Sequence, residues 1–307
     1  MTVETPLTPL TSSTPLLLGI DFSSSPTKKK PIAVAVGQWQ GTVLAVESLL
    51  SLTTLAEFEA LLVQGPPPID KHAPDQAPST PHFVAGIDMP FGLSRKLVDG
   101  LKWPGVGRTD FKAWDLLIDH YSAMTREEIR TTFKAWCDAR PAGHKFAHRA
   151  CDGPAGSSPS MKWVNPPVAY MLHAGAPLLK SSGVHIPGMQ RGDRQRVALE
   201  AYPGFLARKI LNRASYKSDD PKKDTADRRM ARSELLCALE EGMLFGIKLM
   251  VRPYLRARLL DDVKADHLDA VLCCLVAGWA AKRANAHFGL PSLIDPVEGW
   301  IAGVPPL

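Results

Sequence analysis

Short apolar runs separated by polar turns open the chain and predict a sheet built from neighbouring strands. Residues 16–21 read Leu-Leu-Leu-Gly-Ile-Asp, and further apolar runs follow at 32–37 and 42–46. Serine, proline and glycine residues separate the runs, which is typical of the turns between adjacent strands. We therefore expect three sequential antiparallel strands, the first of which ends in Asp21.

A helical pattern after the third run predicts that the next strand lies parallel to the first. Residues 55–62 carry apolar side chains at the spacing of one helix face, and the two threonines before them can cap the helix. Residues 83–88 then form another apolar run, which ends in Asp88. Because a helical crossover joins parallel strands, we expect Asp21 and Asp88 at the same edge of the sheet.

The rest of the chain predicts a mostly helical insertion and then a return to the sheet. The insertion is expected at about 93–182, where Gly and Pro interrupt helical stretches, and a strand at 195–201 would rejoin the sheet. The remaining helices are expected at 110–123, from 125 onward, and at 168–174, 204–211, 227–241 and 262–287. Together these elements predict an α/β fold whose mixed sheet has three antiparallel strands followed by parallel strands, flanked by helices.

Two segments outside these elements have the composition of loops. Residues 1–15 lack a helical or strand period and are expected to form a disordered tail, whereas 16–307 would form one domain. Six prolines within 64–81 indicate an exposed loop or linker.

Charge and cysteine content narrow the class of protein. Lys and Arg number 36 against 31 Asp and Glu, a net charge of +5 that is compatible with a polyanionic partner. The five cysteines suggest no disulfide framework and fit a reducing cytosol. The first residues lack the pattern of a signal peptide, and the longest apolar run, 270–281, has 12 residues against the roughly 20 needed to span a bilayer. We therefore expect a cytoplasmic protein without a membrane partner.

Five acidic residues are the main candidates for chemistry. Asp21 and Asp88 end strands, and Glu200 lies near the end of a third. Asp266 and Asp269 stand three apart near the start of the last helix. Each position has a simpler explanation, because Asp often caps turns and helix N-termini favour acids. Their recurrence at the ends of strands that should share one edge favours a common site, since a buried carboxylate needs compensation.

Several carboxylates in one place favour a divalent cation. Mg²⁺ takes oxygen ligands and is commonly bound by a few carboxylates together with substrate phosphate oxygens. Two such ions about 4 Å apart can activate a water and stabilise the leaving oxygen of a phosphodiester. We therefore expect the five acids to hold Mg²⁺ or Mn²⁺, with two ions as the leading arrangement.

The same residues carry a resemblance to a known family. In chain order the motifs are Gly19-Ile20-Asp21, residues 86–92 (Gly-Ile-Asp-Met-Pro-Phe-Gly), Glu200-Ala201-Tyr202-Pro203, Tyr216-Lys217 and residues 266–270 (Asp-His-Leu-Asp-Ala). With these motifs the chain resembles the DUF429 family of ribonuclease-H-like nucleases over about 16–301. The last motif is also similar to the Asp-x-x-Asp ending of the RuvC-type junction resolvases, which share that fold.

This resemblance implies a fold and a role for each acid. It implies a ribonuclease-H-like core in which the carboxylates meet at one end of the sheet. Asp21 would be the ligand shared by both ions, with Asp88 or Glu200 as the ligand from a second strand. Asp266 and Asp269 would be the helix ligands.

Other side chains are candidates for binding a substrate. Lys217 could meet a phosphate, and Arg149 lies in the irregular part of the insertion, where loops often carry substrate contacts. Ser23 follows Asp21 in a turn that loosely resembles a phosphate loop. His267, between the helix acids, could move a proton or simply lie at the surface.

A zinc site in the insertion is a weaker candidate. Its ligands would be Cys137, His144, His148 and Cys151. Their spacing departs from the usual paired patterns, which favours unrelated positions over a metal site.

Three functions remain open on the sequence. The leading prediction is a metal-dependent phosphodiesterase that acts as a nuclease on DNA or RNA. An actin-like ATP-dependent phosphotransferase is the first alternative, although the glycine-rich second phosphate loop of that class is missing after Asp88. A non-catalytic module that binds nucleic acid or a protein on the same fold is the second.

Overall fold

The strands of the computed structural model form a mixed sheet. The model describes residues 14–67 and 81–306. Within them the strands are β1 (Leu16–Asp21), β2 (Ile32–Gln40), β3 (Val43–Leu52), β4 (Phe83–Asp88), β5 (Val184–His185), β6 (Asp193–Glu200) and β7 (Leu249–Val251). They are arranged in the order β5-β6-β4-β1-β2-β3-β7 as one seven-stranded sheet.

Helices cover both faces of this sheet. They are α1 (Leu55–Gln64), α2 (Arg95–Leu101), α3 (Lys112–Ala123), α4 (Arg126–Asp138), α5 (Asp152–Ala155), α6 (Val168–Ser182), α7 (Pro203–Leu211), α8 (Ala226–Glu241), α9 (Pro253–Asp261) and α10 (Asp266–Ala281). Short 3₁₀ helices occur at Pro221–Lys223 and Ala284–Gly289.

The strand pairing confirms the fold class expected from the sequence. β1 pairs antiparallel with β2, and β2 pairs antiparallel with β3. β4 lies parallel to β1 and β6 lies parallel to β4. The three antiparallel strands are therefore followed by parallel strands, as in the layout of the ribonuclease H fold, and Asp21 and Asp88 are register partners.

Two apolar layers hold the helices against the sheet. On one face, α1 and the helices between β4 and β5 bury side chains such as Phe58, Trp114 and Leu172. On the other face, α7 to α10 bury side chains such as Leu235 and Val271. The helices that connect β4 to β5 fill the region in which the mostly helical insertion was expected.

Helix α10 lies unusually close to the centre of the sheet, and two glycines explain this. A Cβ atom on Gly19 would stand 1.9 Å from the carbonyl oxygen of Ala270, and one on Gly86 would stand 2.4 Å from that of Cys273. Only a residue without a side chain fits at such an approach. The glycine of each Gly-Ile-Asp motif therefore places the helix that carries Asp269 against the strands.

The observed helix boundaries agree with the expected ones at some ends and differ from them at others. Thr54 caps α1 with the reciprocal bonds to Glu57 that define a capping box. The helix expected at 168–174 continues to Ser182, even though Pro177 lies inside it. Residues 1–13 and 68–80, which include most of the expected tail and proline-rich loop, lie outside the described residues.

The expectation of one continuous helix over 262–287 is wrong. Helix α9 ends at Asp261, and α10 begins at Asp266 after Ala265 adopts a left-handed conformation with φ of 58°. Asp262 lies between the two helices, where its carboxylate accepts a hydrogen bond from the backbone N–H of His267. Asp262 therefore does not share a helix face with Asp266 and Asp269.

Within 14–67 and 81–306, no helix combines the length and the apolar character needed to cross a bilayer.

Candidate functional site

Strand geometry brings two of the candidate acids together. Gly19 and Gly86 face α10, and side chains two residues apart on a strand point to the same face of a sheet. Asp21 and Asp88, two residues further along and paired in register, therefore also point toward the α10 side. Their carboxylates lie at the carboxyl ends of two adjacent parallel strands.

The start of α10 adds two more acids to this edge. Asp266 is the first residue of the helix, and Asp269 lies three residues later, within the same turn. Residues three apart are neighbours on a helix surface. Because the two glycines hold α10 against β1 and β4, its first turn reaches the strand ends that carry Asp21 and Asp88.

A cavity of about 620 Å³ opens over this edge of the sheet. Four of the five candidate acids line it, and three of these, Asp21, Asp88 and Asp266, are named here the acid cluster. Its other charged or polar lining residues include Ser23, Lys30, Arg149, Glu200, Tyr202, Arg208, Lys217 and Lys264. The cavity is therefore acidic at its base and carries several cations around it.

Burial and mutual repulsion disfavour the ionised form of these carboxylates. The pKa of Asp21 lies well above its usual value because of burial and because of the charges of Asp269, Asp88 and Asp266, in that order. Burial, together with Asp269 and Glu200 and opposed by Lys217, raises the pKa of Asp88 to about 7. Burial also raises the pKa of Asp266. The positive charge near the acid cluster is therefore too small to offset the negative charge of its carboxylates.

Asp269 is near the cluster but has partners of its own. Its side chain is 1% exposed and is not among the described residues that line the cavity. The hydroxyl of Tyr216 donates to Oδ1, and the ammonium of Lys217 donates to Oδ2, both at 2.5 Å. Burial lowers the pKa of Lys217, but the charge and hydrogen bond of Asp269 together with the charges of Tyr216 and Asp21 outweigh it and raise that pKa. Both carboxylate oxygens of Asp269 are therefore already bonded.

Glu200 lines the cavity but is also fully paired. Arg149 donates to both of its oxygens, from Nη1 to Oε2 at 2.7 Å and from Nη2 to Oε1 at 2.6 Å. The backbone N–H of Phe91 donates to Oε2 as well. Bidentate charged pairs of this kind are among the strongest hydrogen-bonded contacts in proteins. In this conformation Glu200 and Arg149 are counter-ions of each other.

The pairing of Arg149 extends into a larger set of contacts. We name this set the arginine network; its members are Arg149, Glu200, Asp152 and Glu298. Arg149 donates from Nε to Asp152 and from Nη1 to the backbone carbonyl of Glu298. The Glu298 carboxylate accepts from the backbone N–H groups of Ala150 and Arg95. The network ties the loop before α5 to the end of β6 and to the C-terminal segment.

The acid cluster has the chemistry that a hard cation requires, but its members do not yet form a ligand set. Within 14–67 and 81–306, no three His, Cys, Asp or Glu side chains are close enough together to hold a metal ion. The donors are nevertheless carboxylate oxygens, the ligands that Mg²⁺ and Mn²⁺ prefer. Their raised pKa values show a deficit of positive charge that a cation at the cavity base would supply. The ligand atoms of these residues are therefore of the kind that a divalent cation requires.

The remaining candidates divide between the cavity and other places. Ser23 lines the cavity, in the turn that follows Asp21. His267 is neither at the surface nor in the cavity lining: it is 8% exposed and contacts Asp262, Ser51 and Arg258. The interpretation of His267 as a surface residue is wrong, because α10 turns its ring into these contacts.

The four residues of the weaker zinc candidate do not form a common site. Cys137 and Cys151 are buried, whereas His144 and His148 are exposed. Neither histidine belongs to a helix or a strand, so no regular element holds the two imidazoles side by side.

Several residues of the site carried no sequence signal. Tyr216 belongs to a quoted motif, but nothing in its spacing indicated a bond to Asp269. Asp152 and Glu298 lie far from Glu200 in the chain and meet it only through Arg149. Lys30 reaches the cavity from a loop and Arg208 from a helix. In the sequence, both resemble ordinary solvated cations.

Comparison of the chain with protein-family models, with curated proteins and with solved structures found no match. The fold and the site define an α/β protein with a mixed sheet and a cavity over the ends of its parallel strands. Among the residues that the structure describes, three carboxylates that line this cavity have no ion-pair partner.

Proposed function

We propose that this protein is a Mg²⁺- or Mn²⁺-dependent phosphodiesterase that hydrolyses nucleic acid in the cavity above the acid cluster. One observation carries the proposal. Three carboxylates face one cavity without a protein cation bonded to them in the described residues, whereas Glu200, at the same edge, is fully paired with Arg149. Buried charge of this kind is costly unless a ligand compensates it.

The roles of the residues follow from their positions. Asp21, Asp88 and Asp266 would hold the cation, and ion binding requires these carboxylates to draw together. A bound divalent ion supplies an activated water and stabilises charge on the leaving oxygen of a phosphodiester. Lys217 faces the same cavity and can donate a hydrogen bond to a phosphate oxygen.

Nucleic acid is the proposed substrate because of the charges around the cavity. Lys30, Arg208 and Lys264 line it together with Lys217, so cations surround the acidic base. A phosphate backbone carries regularly spaced negative charge, and its binding by Lys and Arg weakens steeply with salt. The motifs that resemble the DUF429 nucleases support the same substrate class and membership of that family. The five free cysteines support a cytoplasmic location.

The proposal is tested by cleavage of labelled DNA and RNA in the presence of Mg²⁺ or Mn²⁺. We expect Asp21→Asn to lower the cleavage rate by about 100-fold or more, because it removes a ligand carboxylate. Asp138→Asn is the matched control, since Asp138 is an exposed residue of α4 paired with Lys134. The control should cleave at the wild-type rate.

Two results would contradict the proposal. One is that the wild-type protein cleaves no nucleic acid with either ion. The other is that Asp21→Asn and the wild-type protein cleave equally.

A further inference from the structure

We propose that a second, smaller cavity beside α7 binds an unpaired base of a single-stranded nucleic acid, and that Arg208 binds the phosphate that links this base to the strand in the larger cavity. The inference rests on the function proposed above and specifies the substrate of the same site as one unpaired strand of DNA or RNA. An unpaired strand differs from a duplex in that the faces of its bases are free to stack on protein side chains.

Helix α7 borders two cavities. The larger cavity has the acid cluster at its base and is also lined by Ala207 and Leu211 of α7. The smaller cavity has a volume of about 270 Å³, and its lining includes residues 153–156 and Phe205 of α7. Arg208 lines both cavities. A ligand that extends from one cavity into the other therefore contacts Arg208.

Arg208 and Lys209 are cations without an acidic partner. Both side chains are exposed. Arg208 donates from Nη1 to the hydroxyl of Tyr202 at 3.3 Å and from Nη2 to the backbone carbonyl of Ala155, and both acceptors are neutral groups. Within 14–67 and 81–306 neither cation forms an ion pair, and α7 itself contains no acidic residue. Because arginine has five N–H donors, donors and an uncompensated charge remain for a phosphate group.

Each cavity also has an aromatic side chain beside these cations. Tyr202 lines the larger cavity and Phe205 lines the smaller one, and both are half-buried. The guanidinium carbon of Arg208 lies 5.3 Å from the centre of the Tyr202 ring, and Nζ of Lys209 lies 4.3 Å from the centre of the Phe205 ring. Aromatic rings next to cations are typical of surfaces that bind single strands, because bases stack on the rings while the cations contact the backbone.

The size of the smaller cavity suits one base. Pockets that enclose a drug-sized molecule have volumes of about 300 to 1,000 Å³, and this cavity lies just below that range. Its lining includes Gly153, where an added Cβ atom would meet nothing within 4 Å. The lining therefore leaves space for a flat base to lie against the Phe205 ring.

The phosphate contact is tested by titration of labelled single-stranded DNA and RNA, followed by fluorescence anisotropy in EDTA so that binding is measured without cleavage. Arg208→Gln should weaken binding about tenfold and reduce the slope of log affinity against log salt by about 0.7, because one phosphate contact is lost. Arg283→Gln is the matched control. Arg283 is also exposed, lies 4.5 Å from the centre of the Trp279 ring and donates to a backbone carbonyl, but it lines neither cavity. Equal binding by the two variants would contradict the role of Arg208.

Base stacking is tested by Phe205→Leu, which keeps an apolar side chain but removes the ring. This variant should bind a single strand about tenfold more weakly than the wild-type protein does. Binding of an abasic strand with the same phosphates should not change, whereas Arg208→Gln should weaken it too. Phe146→Leu is the control, since Phe146 is also half-buried and packs on Trp163 outside both cavities. An equal loss by Phe205→Leu with both strands would show that no base binds there.

A duplex of the same sequence provides a third comparison. It should bind the wild-type protein about tenfold more weakly than the single strand, because paired bases cannot stack on Phe205. Equal affinity for duplex and single strand would overturn the inference.

The inference and the proposed function can fail separately. If the wild-type protein cleaves nucleic acid but Arg208→Gln and Phe205→Leu bind like their controls, the inference is overturned and the proposed function survives. If these variants lose binding as expected but no substrate is cleaved with Mg²⁺ or Mn²⁺, the single-strand site is supported and the proposed hydrolysis fails.

Discussion

The acid cluster and the arginine network lie at the same edge of the sheet, and they handle buried charge in opposite ways. In the arginine network, Arg149 is 4% exposed and is bonded to Asp152, Glu200 and the backbone of Glu298. In the acid cluster, burial and then the charges of nearby carboxylates, Asp269 first among them, raise the pKa of Asp21 and Asp88. The arginine network obtains its counter-ion from the chain itself, whereas the acid cluster leaves space for a counter-ion from solution. This difference separates a structural ion network from a candidate binding site.

Removing the counter-ion of the arginine network should have the largest effect on stability. Arg149→Leu leaves the carboxylates of Glu200 and Asp152 buried without their partner, and breaking such a pair costs about 3 to 5 kcal/mol. Urea unfolding of the variant measures this loss. The double variant Arg149→Leu/Glu200→Gln should recover part of it, because one uncompensated charge is then gone. A loss below about 1 kcal/mol in the single variant would show that the network is not a major source of stability.

The next largest effect should come from separating α10 from the strands. Gly19→Ala places a Cβ atom 1.9 Å from the Ala270 carbonyl oxygen, so the helix must shift. Overpacking of this kind costs about 1 to 3 kcal/mol. Mn²⁺ binding should weaken too, because Asp266 moves with the helix. Gly153→Ala is the control, since a Cβ atom there meets nothing within 4 Å, and it should leave thermal stability and Mn²⁺ binding unchanged.

Neutralising one member of the acid cluster should stabilise the protein when divalent ions are absent. The folded-state pKa of Asp88 is raised to about 7 from an ordinary value of 3.8. Between these values the folded state binds more protons than the unfolded state, so this group lowers stability as pH rises. Asp88→Asn should therefore raise the free energy of unfolding by about 1 kcal/mol or more at pH 7.5 in EDTA, and by much less near pH 4.

This pH dependence distinguishes the two regions. A gain in stability that is equal at both pH values would show that charge repulsion is not its cause. A loss at pH 7.5 would show that a partner within the protein stabilises the ionised form of Asp88, as Arg149 does for Glu200.

An exposed ion pair should have the smallest effect. Arg229 and Asp261 are each more than half exposed, and surface pairs contribute about 0 to 1 kcal/mol. Arg229→Ala should therefore change the midpoint of urea unfolding only slightly. A loss as large as that of Arg149→Leu would contradict the view that burial, and not pairing alone, sets the importance of the arginine network.

Much of the fold could be predicted because it depends on local patterns. The continuous apolar runs of the strands and the crossover helix after β3 placed Asp21 and Asp88 at one edge, and the register confirms this. The break before α10 could not be predicted in the same way. It occurs at Ala265, in a segment without Gly or Pro, where a left-handed conformation has no sequence signal.

The candidate site could be predicted only as a set of acids, because its charge pairing is tertiary. Glu200 ends a strand as Asp21 and Asp88 do, and Asp269 lies in the first turn of the same helix as Asp266. Their partners come from a loop about 50 residues away in each case, since Arg149 meets Glu200 and Lys217 meets Asp269. Only the structure shows which acids are paired and which face the cavity unpaired.

We expect the acid cluster, unlike the arginine network, to take its counter-ion from solution. A crystal soaked in Mn²⁺ and measured at the manganese absorption edge is the decisive experiment. We predict an anomalous peak at the base of the cavity, contacted by carboxylate oxygens of Asp21, Asp88 and Asp266. A crystal with no peak there, or with its only peak beside Glu200 and a displaced Arg149, would contradict the claim.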